Sequence, residues 1–168
     1  MTINVTPQPL IPEISLTNFQ KGHAFEDFII TLFNERRFKL LEWRSDKRAT
    51  NGVFPLSNIF PDLEFAFMGW RSRRFAVECK WRKSFNEGKI YWASLYQIIN
   101  YVRFQSESNI PVFVAIGIGG EPKNPEKLFV TPLNNIKGFP EVYESQLIPY
   151  KRETKRQFYF HTYQLELF

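Results

Sequence analysis

Two carboxylates and a lysine occupy matching positions on two neighbouring segments of alternating polarity. Asp62 begins the segment DLEFAFM, and Glu78 and Lys80 lie in the segment RFAVECKW. If a turn at residues 69–71 is the centre of a hairpin, pairing is symmetric about residue 70, so Asp62 lies opposite Glu78 on the face that carries Lys80. Opposed side chains are about 5 Å apart at Cβ, and two like charges at that distance repel unless a cation separates them.

This pattern predicts a divalent-cation site. Carboxylate oxygens are ligands that Mg²⁺ and Mn²⁺ prefer, and a lysine two residues further on could contact a phosphate or an attacking water. The same residues could instead form a solvated sheet face on which Lys80 is the counter-ion. Glu64 shares this face and is either a rival ligand or a salt-bridge partner of Arg74 or Arg82.

The acidic-x-lysine triplet is not specific by itself, because it occurs four times in the chain. The four triplets are Glu78-Cys79-Lys80, Glu87-Gly88-Lys89, Glu121-Pro122-Lys123 and Glu153-Thr154-Lys155. The last three lie among glycine, proline or charged residues. Only the first lies within an apolar alternating strand that faces an acidic strand, so its context selects it.

The elements that must position these residues follow an α/β order. The predicted helices span 18–37 and 89–104, and the predicted strands span 38–43, 62–68, 74–81, 111–118, 128–131 and 158–163. The buried stripe of the second helix is predicted to consist of Tyr91, Leu95, Ile98 and Val102. Residues 1–17 are expected to form an extended arm and 44–58 a long loop. The order α-β-β-β-α-β-β is typical of an α/β domain around a mixed sheet.

Composition narrows the class of protein. The 168 residues suit one domain, and 43% hydrophobic with 23% charged residues excludes a disordered chain. The net charge of +5 fits a polyanionic partner, although solubility alone explains it. A single cysteine, Cys79, excludes an intramolecular disulfide and a cysteine-based zinc site. No stretch predicts a secretory signal or a membrane span, so we expect a soluble cytoplasmic protein.

Pro61-Asp62 followed by Glu78-Cys79-Lys80 in a hydrophobic strand resembles the PD-(D/E)XK nuclease superfamily, which has the restriction-endonuclease-like fold. The segment Gly22-His23-Ala24-Phe25-Glu26 is similar to a helix of the Mrr-like and archaeal Holliday-junction-resolvase branches. Gln97 with Tyr101 is similar to their Q-x-x-x-Y helix. The resemblance covers about residues 18–131 and implies an α-β-β-β-α-β core with a mixed central sheet flanked by helices. Residues 132–168 are expected to be an extension packing on the same domain.

The resemblance implies a metal-dependent endonuclease that hydrolyses phosphodiester bonds, with DNA as the expected nucleic acid. In that interpretation Asp62, Glu78 and the backbone carbonyl of Cys79 ligate Mg²⁺ or Mn²⁺. Lys80 orients or activates water and stabilises charge on the phosphate, and Glu26 supports the metal directly or through water. Catalysis then depends mainly on the positive charge held at the phosphate.

Other interpretations of these residues stay open at this stage. Gln97 could steady the site or lie on a helix rim, Tyr101 could be packing, and Glu26 could be a surface carboxylate. The basic segment from Lys151 to Arg156 could follow a nucleic-acid backbone or be solvated. A homodimer or a partner protein would compensate for the small readout surface of one domain.

Two rival functions also stay open. The first is a catalytically silent domain of the same fold that binds nucleic acid or assembles with other subunits. The second is an unrelated α/β protein that binds a protein partner through its aromatic surface.

Overall fold

A mixed sheet forms the centre of the molecule. We describe a computed structural model over residues 16–44, 59–69, 72–162 and 164–168, and within these residues the main sheet has six strands. The helices are α1 (Asn18–Thr31), α2 (Leu95–Ser108) and α3 (Glu144–Leu147), with 3₁₀ turns at Leu133–Asn135 and Ile148–Tyr150. The strands are β1 (Phe38–Trp43), β2 (Leu63–Phe67), β3 (Arg73–Arg82), β4 (Lys89–Tyr91), β5 (Val112–Ile118), β6 (Lys127–Pro132), β7 (Glu141–Tyr143), β8 (Lys151–Arg152), β9 (Phe160–His161) and β10 (Glu166–Leu167).

The strand order in this sheet is β1-β2-β3-β5-β6-β8. The β3–β5 pair is parallel and the other pairs are antiparallel. A parallel pair needs a crossover connection, and α2 provides it between β3 and β5. The mixed α/β architecture is therefore confirmed, as is the predicted α-β-β-β-α-β-β order for the first strands of this sheet and the helices α1 and α2, while β4 pairs with β7 outside the sheet.

The predicted hairpin register is also confirmed. Leu63 pairs with Val77 and Glu64 with Ala76, so residue numbers across the ladder are symmetric about residue 70. Extending this register by one residue brings Asp62, which immediately precedes β2, opposite Glu78. Residues 70 and 71 of the predicted turn lie outside the described part of the chain.

The first helix is shorter than predicted. It ends at Thr31 rather than at residue 37, although the apolar spacing continues to Phe33. The backbone turns after Leu32 because Asn34 offers a competing set of hydrogen bonds. Its side-chain oxygen accepts the N–H of Arg36 (2.9 Å), and its carbonyl accepts that of Arg37, only three residues on (2.8 Å).

The second predicted helix is wrong at both ends. Lys89–Tyr91 forms strand β4, which pairs with β7, and the helix runs from Leu95 to Ser108. Of the predicted stripe, Ile98 is buried and Val102 is half-buried, whereas Tyr91 and Leu95 are exposed. Ser94 sets the start, since its hydroxyl accepts the Gln97 N–H (3.2 Å) while the Gln97 side chain accepts the Ser94 N–H (3.1 Å). This S-x-x-Q capping box is readable in the sequence.

Other boundaries differ less. The predicted strand over 158–163 is reduced to Phe160–His161, which pairs with β10, and Tyr163 is not described. The predicted arm over 1–17 and loop over 44–58 fall almost entirely outside the described residues.

Two apolar cores cover the two faces of the sheet. On one face α1 packs against side chains such as Cys79 and Ala115, together with Phe158 and Phe160 from the end of the chain. On the other face Ile98 and Tyr101 of α2 pack against the alternate residues of β5. Because successive strand residues point to opposite faces, β3 contributes Cys79 to the α1 face and Glu78 to the α2 face.

Gly117 fixes how closely α1 approaches the sheet. A Cβ at this position would lie 2.4 Å from the ring of Phe25, which is completely buried. Phe25 immediately precedes Glu26, so this close contact also sets the height of Glu26 above the sheet.

We expect Gly117→Ala to lower the free energy of unfolding by about 1–3 kcal/mol, because the added methyl group overpacks a rigid contact. Gly22→Ala is the matched control. Its Cβ would meet nothing within 4 Å inside α1, so the same substitution should stabilise by about 0.5–1 kcal/mol. Urea unfolding of both variants measures the difference, and equal effects would contradict the packing role of Gly117.

Candidate active site

Asp62 and Glu78 are carboxylates removed from solvent. Asp62 is 5% exposed and Glu78 is fully buried. The N–H of Cys79 donates to Asp62 Oδ2 (2.8 Å), which ties the start of β2 to the middle of β3. The Tyr101 hydroxyl donates to Glu78 Oε1 (2.7 Å), which ties α2 to the same strand.

Lys80 is the cation of this group. Its ammonium forms an ion pair with Glu78 Oε1, and its side chain is 16% exposed. The second oxygen of Glu78, Oε2, is buried and has no hydrogen-bond partner among the described residues. A buried carboxylate oxygen without a partner is costly and is uncommon in folded proteins.

The charged form of Asp62 is destabilised by its surroundings. Burial raises the pKa of Asp62 well above its usual value, and the charges of Glu78 and Glu26 raise it further. Lys80 and the Cys79 N–H act in the opposite direction without cancelling the effect. Burial by itself lowers the pKa of Lys80, but the attraction of Glu78 and Asp62 outweighs it, and the net shift is upward.

Glu26 belongs to this cluster. It is 8% exposed, which excludes the surface position left open by the sequence. The indole N–H of Trp43 donates to Glu26 Oε2 (2.7 Å) and so fixes the carboxylate from β1. Sequence reasoning missed Trp43, since a tryptophan that ends a strand carries no signal of its hydrogen-bond partner.

An open cleft of about 550 Å³ gives access to the cluster. Among the predicted site residues, its lining includes Glu26, Asp62, Cys79, Lys80 and Gln97. Glu78 is completely buried and is not in the lining. Four further cleft residues carry a basic side chain: Lys21, His23, Arg82 and Lys83. The lining of the cleft therefore combines acidic groups with cations.

Gln97 and Tyr101 have different positions. Gln97 lines the cleft and closes the capping box of α2, so its backbone position is set by Ser94. Tyr101 is fully buried, one turn further along the same helix. Sequence reasoning gave it a packing role, whereas its hydroxyl contacts Glu78 directly. The resemblance to a Q-x-x-x-Y helix is the signal that singled out both residues.

Glu64 does not join the cluster. Its two oxygens are bound by guanidinium groups, with Arg44 on Oε2 (2.7 Å) and Arg74 on Oε1. The salt bridge with Arg74 was one of the alternatives weighed from the sequence. Arg82 donates instead to the carbonyls of Tyr91 and Trp92 (2.9 and 3.5 Å) and holds the end of β3 near β4.

The donor set fits a hard divalent cation only with help from backbone or water oxygens. Among the described residues, no three Asp, Glu, His or Cys side chains form a cation site by themselves. Asp62 and Glu78 nevertheless supply oxygen ligands of the kind that Mg²⁺ takes, and this ion commonly keeps several waters. A nearby positive charge would give the unpartnered Glu78 Oε2 a favourable contact, and it would lower the raised pKa of Asp62.

We expect Asp62→Asn to stabilise the protein at neutral pH in EDTA, because an amide removes a buried charge and still accepts the Cys79 N–H. Each unit by which the Asp62 pKa is raised corresponds to about 1.4 kcal/mol. Between pH 3.8 and the raised pKa, the unfolded carboxyl loses its proton while the folded one keeps it, so wild-type stability falls as pH rises through this window. The gain should therefore shrink as pH falls toward 3.8. Chemical unfolding over a pH series measures it, and a gain independent of pH would contradict the assignment.

Lys80→Met should lower the free energy of unfolding by about 3 kcal/mol in EDTA, because it leaves Glu78 buried without its counter-ion. Lys127→Met is the matched control, since Lys127 pairs with Glu144 at a more exposed site (2.6 Å) and should cost less than about 1 kcal/mol. Urea unfolding compares the two, and similar losses would contradict a charge-dependent role of Lys80.

No model of a known protein family matches the sequence, and no curated protein matches it. A solved structure does match. The Holliday junction resolvase Hjc of Archaeoglobus fulgidus, an archaeal hyperthermophile, superimposes with a TM-score of 0.53 at 21% sequence identity. The match covers 79% of this chain and 95% of that chain.

This likeness carries information about the fold. It confirms the fold that was expected from the order of elements. No helix of the described residues is long and apolar enough to cross a membrane. The chain has the restriction-endonuclease-like fold, with a central mixed sheet flanked by helices.

Proposed function

We propose that this protein is a metal-dependent endonuclease that hydrolyses phosphodiester bonds in DNA. The observation that carries the proposal is the pairing of two buried carboxylates, Asp62 and Glu78, at one position of the β2–β3 hairpin beside Lys80. A binding module has no need to keep this repulsion, whereas a cation-dependent site uses it. The Hjc neighbour, a Holliday junction resolvase, supports the proposal at the level of fold.

Asp62, Glu78 and the backbone carbonyl of Cys79 would hold Mg²⁺ or Mn²⁺, and Glu26 would support it directly or through water. When bound, such an ion supplies Lewis-acid stabilisation of charge on the phosphate. The protein's own contribution is to keep these oxygens in place before the substrate arrives. The Cys79 N–H fixes Asp62, Tyr101 fixes Glu78, and Trp43 fixes Glu26.

Lys80 has two roles in this proposal. In the free protein it neutralises Glu78 Oε1. In the complex its ammonium orients a water for attack and stabilises charge on the phosphate, because its side chain lines the cleft while its pKa is raised. Gln97 lines the same cleft and would position the site or contact the substrate backbone.

Nucleic acid as the substrate is supported by charge. Lys21, Arg82 and Lys83 line the cleft, and the whole chain carries +5. Lysine and arginine contacts to phosphates supply a large share of the affinity in nucleic-acid binding. We propose that the protein acts in the cytoplasm, the compartment expected from the sequence.

We propose further that the domain works as a homodimer or with a partner protein. Support comes from α2, where Leu95, Tyr96 and Ile99 are each more than half exposed. Neighbouring exposed apolar side chains on one helix are typical of a contact surface.

We expect the wild-type protein to cleave supercoiled, linear or four-way-junction DNA with Mg²⁺ or Mn²⁺ and not with EDTA. Asp62→Asn and Glu78→Gln should each lower the cleavage rate at least about hundredfold, because each removes a carboxylate that would hold the cation stabilising charge on the phosphate. Glu107→Gln is the matched control, an exposed carboxylate on α2 that should retain wild-type activity.

A second readout does not depend on substrate. Mn²⁺ should raise the unfolding temperature of the wild type by mass action, and the Asp62→Asn/Glu78→Gln double variant should lose this response. If the protein binds DNA yet neither cleaves it nor responds to Mn²⁺, the silent nucleic-acid-binding function replaces the proposed one. Wild-type cleavage by both Asp62→Asn and Glu78→Gln would also contradict the proposal.

A further inference from the structure

A basic surface lies outside the cleft, on the segment of residues 151–157. This basic segment, KRETKRQ, contains four cations and one carboxylate, so it holds +3 of the chain's net +5. Lys151, Lys155 and Arg156 are exposed, and Glu153 approaches Arg156 only at 3.9 Å with both side chains more than 70% exposed. The positive charge of the segment is therefore largely uncompensated.

The sheet register relates the basic segment to the candidate active site. Lys80 pairs with Ile116, Ile116 with Phe129, and Phe129 with Lys151. Lys151 therefore lies in the same row as Lys80, three strands away, which is about 14 Å across the sheet. Residues paired across a ladder share a face, so both lysines start from the same side of the sheet.

Arg152 faces a different environment. Its Nε is buried and has no hydrogen-bond partner among the described residues. Its other nitrogens donate to the carbonyls of Lys151 and Leu167 (3.0 and 3.4 Å). Burial lowers the pKa of the Arg152 guanidinium, and the charge of Glu166 offsets this only in part, so an added anion would stabilise its charged form.

Two concave surfaces adjoin the basic segment. One, of about 550 Å³, is lined by Glu126 and residues 151–155. The other, of about 250 Å³, includes Arg152, Arg156, Tyr159 and Phe168. Tyr159 and Phe168 are each about half exposed and stack on one another at 6.4 Å, with planes 19° apart. The guanidinium of Arg37 lies over the Tyr159 ring, 5.0 Å from its centroid, and adds a cation to this surface. Cations beside exposed stacked rings are the combination that proteins use for single-stranded nucleic acid.

We infer that the basic segment and the Tyr159–Phe168 pair form a second nucleic-acid subsite that binds a single-stranded part of the substrate. Lys151, Arg152 and Arg156 contact phosphates, and an unpaired base stacks on the aromatic pair. This inference rests on the proposed function for the idea that one substrate occupies both sites.

The test measures binding of a labelled single-stranded DNA oligonucleotide and its duplex by fluorescence anisotropy, in EDTA and over a salt series. The variant Lys151→Gln/Lys155→Gln/Arg156→Gln changes only exposed side chains. We expect its single-strand affinity to fall at least about tenfold at low salt, with a salt dependence shallower by about 0.7 per lost contact. Lys39→Gln/Arg103→Gln/Lys137→Gln, three exposed cations elsewhere, is the control with the same change of charge and should keep the wild-type slope.

The aromatic contact is tested separately. Tyr159→Ala should weaken single-strand binding at least about fivefold and leave duplex binding unchanged, and Tyr159→Phe should restore it, because stacking needs the ring and not the hydroxyl. An equal loss on single strand and duplex would overturn the stacking role.

Three results would overturn the subsite. The first is that the basic-segment variant binds single-stranded DNA as tightly as the wild type, and the second is that the control variant loses as much affinity as the basic-segment variant. The third is that the basic-segment variant keeps its DNA binding but loses binding to anionic phospholipid vesicles. Because binding is measured in EDTA, the result is independent of cleavage. A protein that loses binding only through the basic segment but never cleaves DNA keeps this inference and loses the proposed function. If the basic-segment variant cleaves DNA and binds single-stranded DNA normally, the proposed function stands and this inference is wrong.

Discussion

The burial of Glu78 is the constraint on which the rest of the site depends. A carboxylate with no exposed surface must be balanced locally, and the balance comes from Lys80 on its own strand and Tyr101 on α2. Asp62 works against that balance from the opposite strand. Each neighbouring element is thus tied to β3 by a polar contact as well as by packing. Apolar cores pack on both faces of the sheet that carries the acidic cluster.

The parts of the fold that depend on local patterns were predictable. Alternation in β2 and β3 predicted both strands and their pairing, so the opposition of Asp62 and Glu78 could be worked out from the residue numbers. A strict period of two leaves few registers that bury one face. The acidic-x-lysine segment was also placed correctly in a strand, because its alternation carries the signal, whereas the roles assigned to its residues and to Gln97 stay predictions.

The parts that depend on competition between local and distant contacts were not predictable. Apolar periodicity extended α1 past Thr31, since periodicity does not report that Asn34 captures the next backbone N–H groups. The same periodicity placed Tyr91 in a helix, whereas pairing with β7 holds it in a strand. The Trp43–Glu26 and Tyr101–Glu78 hydrogen bonds join distant elements, and no spacing within one element encodes them.

The register of the hairpin determines where the chain tolerates insertions during evolution. Pairing is held by the ladder between β2 and β3, so residues added to the turn beyond Phe67 would enlarge a tip and leave Asp62 facing Glu78. One residue inserted inside β3 ahead of Glu78 would turn every later side chain to the opposite face and place Glu78 in the apolar layer under α1. Length variation should therefore accumulate at the hairpin tip, while the interior of β3 stays fixed in length.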